Sequence, residues 1–256
     1  MNVNPLKKIW DSGSAAIGTY IMYSRDISTI QIAAASGLDF VVFDLEHRPH
    51  DYETVHDLCQ VARLTGMAAL VGPQENTGFA ISHVLDLGAS GVIIPHVQTF
   101  EDVQIAIDSV LYPPHGHRGR AAKAGHNLYN PKRSMVNEVE HYNNDVSLIL
   151  KVESEVAINR LEELIAPDAV DGIIIGSMDL SLDMGIPGQF QNERIVKLFE
   201  NTRSICLQRG IQYGIHVKSV DEIPDAISHG VSWVTVSSEM DLLSEGWTKA
   251  GQSSSV

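Results

Sequence analysis

The sequence predicts a single-domain (β/α)8 TIM barrel over residues 1–256, and three observations predict it. Short runs rich in Val, Ile and Leu recur along the chain, and most are nearly continuous instead of alternating, as strands buried on both faces of a parallel sheet are. Stretches with helical spacing of apolar residues separate them, so strand and helix alternate as βαβ units. The length, 256 residues, is close to the ~250 residues this fold typically takes.

The candidate strands are AIGTYI (16–21), FVVFDLE (40–46), AALVG (68–72), GVIIPHV (91–97), SLILKVE (147–153), GIIIGS (172–177), QYGIHV (212–217) and WVTVSS (233–238). After the second, residues 53–65 place Val55, Leu58, Cys59 and Ala62 on one helical face, with Asp51 as the cap. After the third, residues 77–88 begin on Thr77 in an N-cap position and stop on Gly88. The same pattern returns at 100–110, 155–165 and 193–209, the last closing on Gly210. An open doubly wound sheet is the competing architecture. It loses ground because no G-x-G-x-x-G fingerprint follows the first strand.

Composition narrows the partners. A formal net charge of −14 argues against nucleic acid, which calls for a basic face. No apolar run approaches the ~20 residues of a membrane span, and MNVNPLKKIWDSG has no signal-peptide core, so a soluble cytoplasmic protein is expected. The two cysteines, Cys59 and Cys206, read as buried small hydrophobes in a reducing compartment. Walker, G-x-S-x-G and H-E-x-x-H motifs are all missing, which removes the commonest NTPase, serine-hydrolase and zincin signals.

The active face of such a barrel lies at the C-terminal ends of its strands. Polar residues ending the apolar runs are therefore the candidates: Asp44-Leu45-Glu46-His47, Pro95-His96, Lys151-Val152-Glu153, Ser177-Met178-Asp179, His216 and Ser237-Ser238-Glu239. Glu153 and Asp179 follow consecutive strands, and two carboxylates there could share a hard divalent cation such as Mg²⁺ or Mn²⁺. Each could equally cap the helix or turn that follows. Asp44 and His47 could form a carboxylate–imidazole dyad with Glu46 touching the metal through water, or His47 could be an ordinary hydrogen-bonded residue. His56, His83, His141 and His229 fall on predicted helices and are expected to be solvated.

The longest irregular stretch, Tyr112 to Pro131, reads as a functional βα loop. Its Arg118, Arg120 and Lys123 could receive a substrate carboxylate bidentately, or contact a neighbouring subunit.

Taken in order, FDLEH (43–47), LDLGASGVIIPHVQT (85–99), YPPHGHRG (112–119), LKVES (150–154) and GSMDLS (176–181) resemble the HpcH/HpaI family of metal-dependent class II aldolases acting on 2-keto-3-deoxy acids. The resemblance runs from about Ile17 to Leu243. It implies a (β/α)8 barrel assembled as a hexamer, a trimer of dimers, with the last helix (residues 239–250) exchanged between partners. It also implies Glu153 and Asp179 as metal ligands, and His47 as the base, acting through a metal-bound water, with Asp44 as its partner. Asp86 would be an acid from the neighbouring subunit's side, and backbone groups of Ser177 and Met178 would bind the substrate carboxylate.

One departure matters. The family's third strand usually ends in Arg-Pro, and here the pair is Gly72-Pro73. Loss of a cationic donor at a developing oxyanion costs about 10²–10³ in rate, and Arg120 or Lys123 would have to reach in to replace it. His96 and Met178 stand where the family often has Met and Ala.

The expected function is thus a lyase that forms or breaks a carbon–carbon bond beside a pyruvate-like keto acid, with an aldehyde as the other substrate. A condensing enzyme using oxaloacetate, or a keto-acid- and metal-binding barrel with little turnover, are the alternatives. Two carboxylates do not separate Mg²⁺, Mn²⁺ and Co²⁺.

Overall fold

The structure, a computed structural model, describes residues 4–130 and 134–252. All eight apolar runs form strands: β1 (Ala16–Ile21), β2 (Phe40–Asp44), β3 (Ala68–Gly72), β4 (Gly91–Ile94), β5 (Ser147–Val152), β6 (Gly172–Ile175), β7 (Gln212–Val217) and β8 (Trp233–Ser238). Each pairs in parallel with the next, and β8 closes on β1, so the expected barrel is the observed one.

Side chains alternate across each strand, and this splits the core in two. One set, including Val41, Phe43, Ala69, Val71, Val92, Leu148, Leu150 and Ile173, meets the helices outside. The other, Ala16, Phe40, Val42, Ala68, Leu70, Ile93, Ile149, Ile174 and Trp233, fills the barrel. Trp233 fits because β7 offers Gly214 beside it; a Cβ there would collide with the indole ring.

The first helix, α1 (Pro5–Asp11), closes the N-terminal end, with Leu6 and Trp10 joining the interior cluster. The Asn4 amide anchors it by donating to the carbonyls of Ser90 and Asp145 and to Ser147 Oγ.

The outer layer holds α2 (Ile27–Ala35), α3 (Tyr52–Thr65), α4 (Gly78–Leu87), α5 (Phe100–Val110), α6 (Met135–Asp145), α7 (Glu155–Asn159), α8 (Leu161–Leu164), α9 (Ser177–Asp183), α10 (Glu193–Arg209), α11 (Ile223–Ser228) and α12 (Glu239–Gln252). The caps fall where polar side chains can replace missing helical partners. Asp51 accepts from Thr54 N and Thr77 from Ala80 N, and Gly210 ends α10 at a φ of 70°. The stretch 155–165 is not one helix: Arg160 leaves helical geometry (φ −103°, ψ 9°) between α7 and α8. Cys59 and Cys206 are buried, unpaired, and pushed up to about 12 by desolvation.

Candidate active site at the C-terminal mouth

Alternation carries the inward face of the strands past the apolar filling to the mouth. Two residues beyond Val42, Leu70 and Ile149 stand Asp44, Gly72 and Lys151, with Tyr20 and His216 on the same face. Burial pushes the Tyr20 phenol up to about 12 against the lowering influence of Lys151. It likewise lowers His216, whose Nδ1 lies 3.1 Å from Thr235 Oγ1.

Glu153 is the centre of this mouth. It is only 5% exposed, just past the end of β5. Its Oε2 accepts from His96 N at 3.0 Å and faces His96 Nδ1 at 3.2 Å, while Oε1 contacts the Lys151 ammonium. His96 also reaches Glu46 Oε1 through Nε2, so one imidazole bridges two carboxylates. It does so from a left-handed backbone, φ 54°, a strain that surrounding contacts must hold. Lys151 Nζ lies 3.9 Å from Glu46 Oε2. Burial pulls the Lys151 ammonium down, but Glu153, Tyr20 and Glu46 together hold it above its ordinary value.

The opening of β6 into α9 is shaped around the same carboxylate. A Cβ on Gly176 would sit 2.5 Å from Glu153 Oε1, so this backbone approaches because the residue is glycine. Gly176 is the N-cap of α9 and supplies no side-chain bond, and Asp179 falls in the helix's first turn. Ser154, not Glu153, caps α7, so neither carboxylate serves as an N-cap. Two hard oxygen donors following adjacent strands suit a hard divalent cation. Among the described residues no group of three His, Cys, Asp or Glu side chains could hold a metal ion.

The Asp44–His47 dyad does not form. Asp44 Oδ1 accepts the backbone N–H groups of Glu46 (2.9 Å) and His47 (3.2 Å), tying the turn after β2. The His47 ring, half exposed, has Glu46 Oε2 as its acidic neighbour at 3.6 Å. Ser177 and Met178 open α9, and the Met178 side chain is exposed.

The loop after residue 111 also departs from expectation. It connects the end of α5 to α6, so it lies at the N-terminal face, opposite the mouth, and is not a βα loop. Acids are close by: Arg118 binds Asp86 at 2.7 Å, and Arg120 contacts the buried Glu138. Lys123 is exposed. Within one chain, Asp86, Arg120 and Lys123 therefore do not join Glu153 and His47. Buried His126 sits 3.6 Å from Asp86 and is pushed down to about 3 by desolvation and the nearby Arg118, Arg63 and Arg120. His56, expected in solvent, is engaged at both nitrogens, by Leu87 O and Tyr129 Oη.

Lys151 and His96 stand among the strand-end candidates of the sequence, but neither was given a role there. Lys151 had a visible signal: it is the one Lys or Arg in any of the eight strand segments, two residues from the inward Ile149.

The profile of the HpcH/HpaI aldolase/citrate lyase family matches residues 18–244. The chain belongs to this family. It is an enzyme of the aldolase, carbon–carbon lyase type. The pyruvate aldolase of Rhizobium etli is 30% identical over 246 residues, covering 95% of this chain and 94% of the relative. The 2-keto-3-deoxy-L-rhamnonate aldolase of Escherichia coli is 27% identical over 246 residues, 94% of this chain and 90% of the relative. The crystal structure of an HpcH/HpaI aldolase from Desulfitobacterium hafniense DCB-2 superimposes with a TM-score of 0.92 at 25% identity, covering 97% and 95% of the two chains.

Proposed function

We propose that this aldolase cleaves or forms the carbon–carbon bond beside the keto group of a pyruvate-like acid, with an aldehyde as the second product or substrate, and that it depends on a divalent cation, Mg²⁺ or Mn²⁺, with Co²⁺ as a substitute. The observation that carries this reading is the buried Glu153 carboxylate, held at the mouth among Lys151, His96 and Glu46. The names of the relatives, which pair pyruvate with 2-keto-3-deoxy acids, point the same way.

Glu153 and Asp179 would hold the cation, which when bound supplies Lewis acidity to the keto and carboxylate oxygens. The first-turn N–H groups of Ser177 and Met178, left without a side-chain cap, suit the substrate carboxylate. His47, half exposed and steered by Glu46 at 3.6 Å, moves the proton at the aldol hydroxyl. Asp44 acts on His47 only indirectly, by fixing the turn that presents it.

Asp86, Arg120 and Lys123 would contribute from a neighbouring copy, in a hexamer built as a trimer of dimers. The exposed Met240, Leu243 and Trp247 of α12 support an exchanged last helix, Trp247 being 71% exposed in the isolated chain. In this reading Gly72 stands where the family's arginine would be.

The test is pyruvate release from 2-keto-3-deoxy acids, coupled to lactate dehydrogenase, before and after exhaustive chelation. Chelation abolishes release and Mg²⁺ or Mn²⁺ restores it. Full activity in metal-free enzyme overturns the mechanism.

A further inference from the structure

A reaction that removes a proton next to a keto group pushes negative charge onto the keto oxygen, and the site must meet that charge with a cation or strong donor. The eight strands that build the mouth carry one such group among the described residues. It is Lys151, on the inward face of β5, two residues beyond Ile149 of the barrel filling.

Its position is unusual for a lysine. The side chain is 19% exposed, its ammonium contacts Glu153 Oε1, and Glu46 Oε2 is 3.9 Å away. Tyr20, buried in the same mouth, is close enough to be influenced by its charge. Two strands away, beyond β4, the same inward face carries a residue without a side chain. Gly72 ends β3 facing inward with no side chain, and a Cβ there would meet nothing closer than 3.7 Å. A four-carbon stem with three rotatable donors can turn from one carboxylate to a substrate oxygen.

We infer that Lys151 is a substrate-contacting catalytic residue, whose ammonium donates to the keto oxygen of the bound acid and stabilises the enolate form of that oxygen. In the exchange half-reaction the C3–H bond of pyruvate breaks and its electron pair forms the C2=C3 bond. The carbonyl π pair moves to the oxygen facing Lys151, and the proton passes to His47. Reversal returns a solvent hydron to C3. Were Glu153 to hold a cation, Lys151 would be left with Glu46, 3.9 Å away, and substrate as its partners. This inference rests on the keto-acid reading above.

The experiment compares wild-type protein with Lys151→Gln, Lys151→Met and the double variant Lys151→Gln/Gly72→Arg. Pyruvate methyl-proton exchange is followed by NMR in deuterated buffer with Mg²⁺, and Mn²⁺ affinity is measured separately by EPR. Lys151→Gln and Lys151→Met are expected to slow exchange about 10²–10³-fold while binding Mn²⁺ at least as tightly as wild type. The arginine of the double variant recovers part of the rate, which a lysine serving only to hold Glu153 in place would not permit. Exchange at the wild-type rate in folded Lys151→Gln or Lys151→Met overturns this inference alone. So does a slowing fully explained by lost Mn²⁺ binding. A wild-type protein that binds Mn²⁺ and exchanges no pyruvate protons overturns the keto-acid reading and this inference with it.

Discussion

Replacing Glu153 by Gln keeps the shape of the most buried acid at the mouth and removes its charge, so its consequences can be worked on two limbs. Without metal, the carboxylate anchors the Lys151 ammonium through Oε1 and accepts from His96 N at 3.0 Å through Oε2. An amide oxygen can keep one of these contacts but not both, and Lys151 is left with Glu46 at 3.9 Å. Breaking a buried pair from one side costs 3–5 kcal/mol, and the partial exposure of Lys151 argues for about 3 kcal/mol. For a chain of this size each kcal/mol moves Tm by about 2–4 °C, so metal-free Glu153→Gln should melt about 6–12 °C below wild type. With metal, Mn²⁺ at a hundred times its Kd should add about 2.7 kcal/mol to the wild type, a rise of about 5–11 °C. Glu153→Gln should show no rise. Differential scanning calorimetry with and without Mn²⁺ reads both limbs. A variant that keeps the full Mn²⁺ shift is not missing a ligand, and one that melts with or above the metal-free wild type shows that the Lys151 pair contributes nothing.

Two further outcomes follow from contacts elsewhere in the barrel. Glu239, at the start of α12, is buried and accepts the backbone N–H groups of Met22, Tyr23 and Ser24 at 2.7, 2.7 and 3.0 Å; Glu239→Ala orphans all three donors and should lower stability by about 3 kcal/mol, seen as a reduced urea midpoint at unchanged m-value. His126 is held down to about 3, chiefly by burial, so between that value and ~6.5 the unfolded chain binds a proton the folded chain refuses. Its contribution to stability is therefore constant above ~6.5 and is lost as pH falls, with a slope approaching about 1.4 kcal/mol per pH unit. His126→Asn should flatten that part of the stability–pH curve, and an unchanged acid limb would show that His126 is not the source.

The strands were legible because burial on both faces leaves nearly unbroken apolar runs, and all eight were found with their positions in the barrel. The position of Glu153 was legible for a related reason, since a carboxylate directly after such a run lies at the C-terminal end of the barrel; Asp179 sits a turn further on, in the start of α9. Partnerships were not. His96 meets Glu46 and Glu153 across 50 and 57 residues, and nothing local in PHVQT signals that its ring bridges two acids. Asp44 looked like a partner for His47 because the two are three residues apart, but that same spacing lets a short carboxylate close an Asx-type turn on the backbone, and the backbone won. The arginine-bearing loop was misplaced although chain order held the answer. It follows α5 and leads through α6 into β5, and in a (β/α)8 barrel segments between a helix and the next strand sit at the N-terminal face.

Charge at the mouth links these points. Asp44, Glu46, Glu153 and Asp179 bring four carboxylates to the C-terminal ends of β2, β5 and β6, in a chain whose formal charge is already −14. Asp44 is satisfied by backbone donors. For Glu46 and Glu153 the structure supplies one ammonium, the His96 ring and backbone N–H, and the His47 ring beside Glu46, and a buried acid needs a matched counter-charge or hydrogen bonds to stay ionised. Counted as charges, the carboxylates there outnumber the one ammonium. Under the proposal above, a cation on Glu153 would leave the ammonium to Glu46, 3.9 Å away, and to substrate. On the same proposal, an arginine at the end of β3 would make the lysine on β5 redundant, so Gly72 and Lys151 would be a coupled pair, two halves of one solution to holding charge on a keto oxygen.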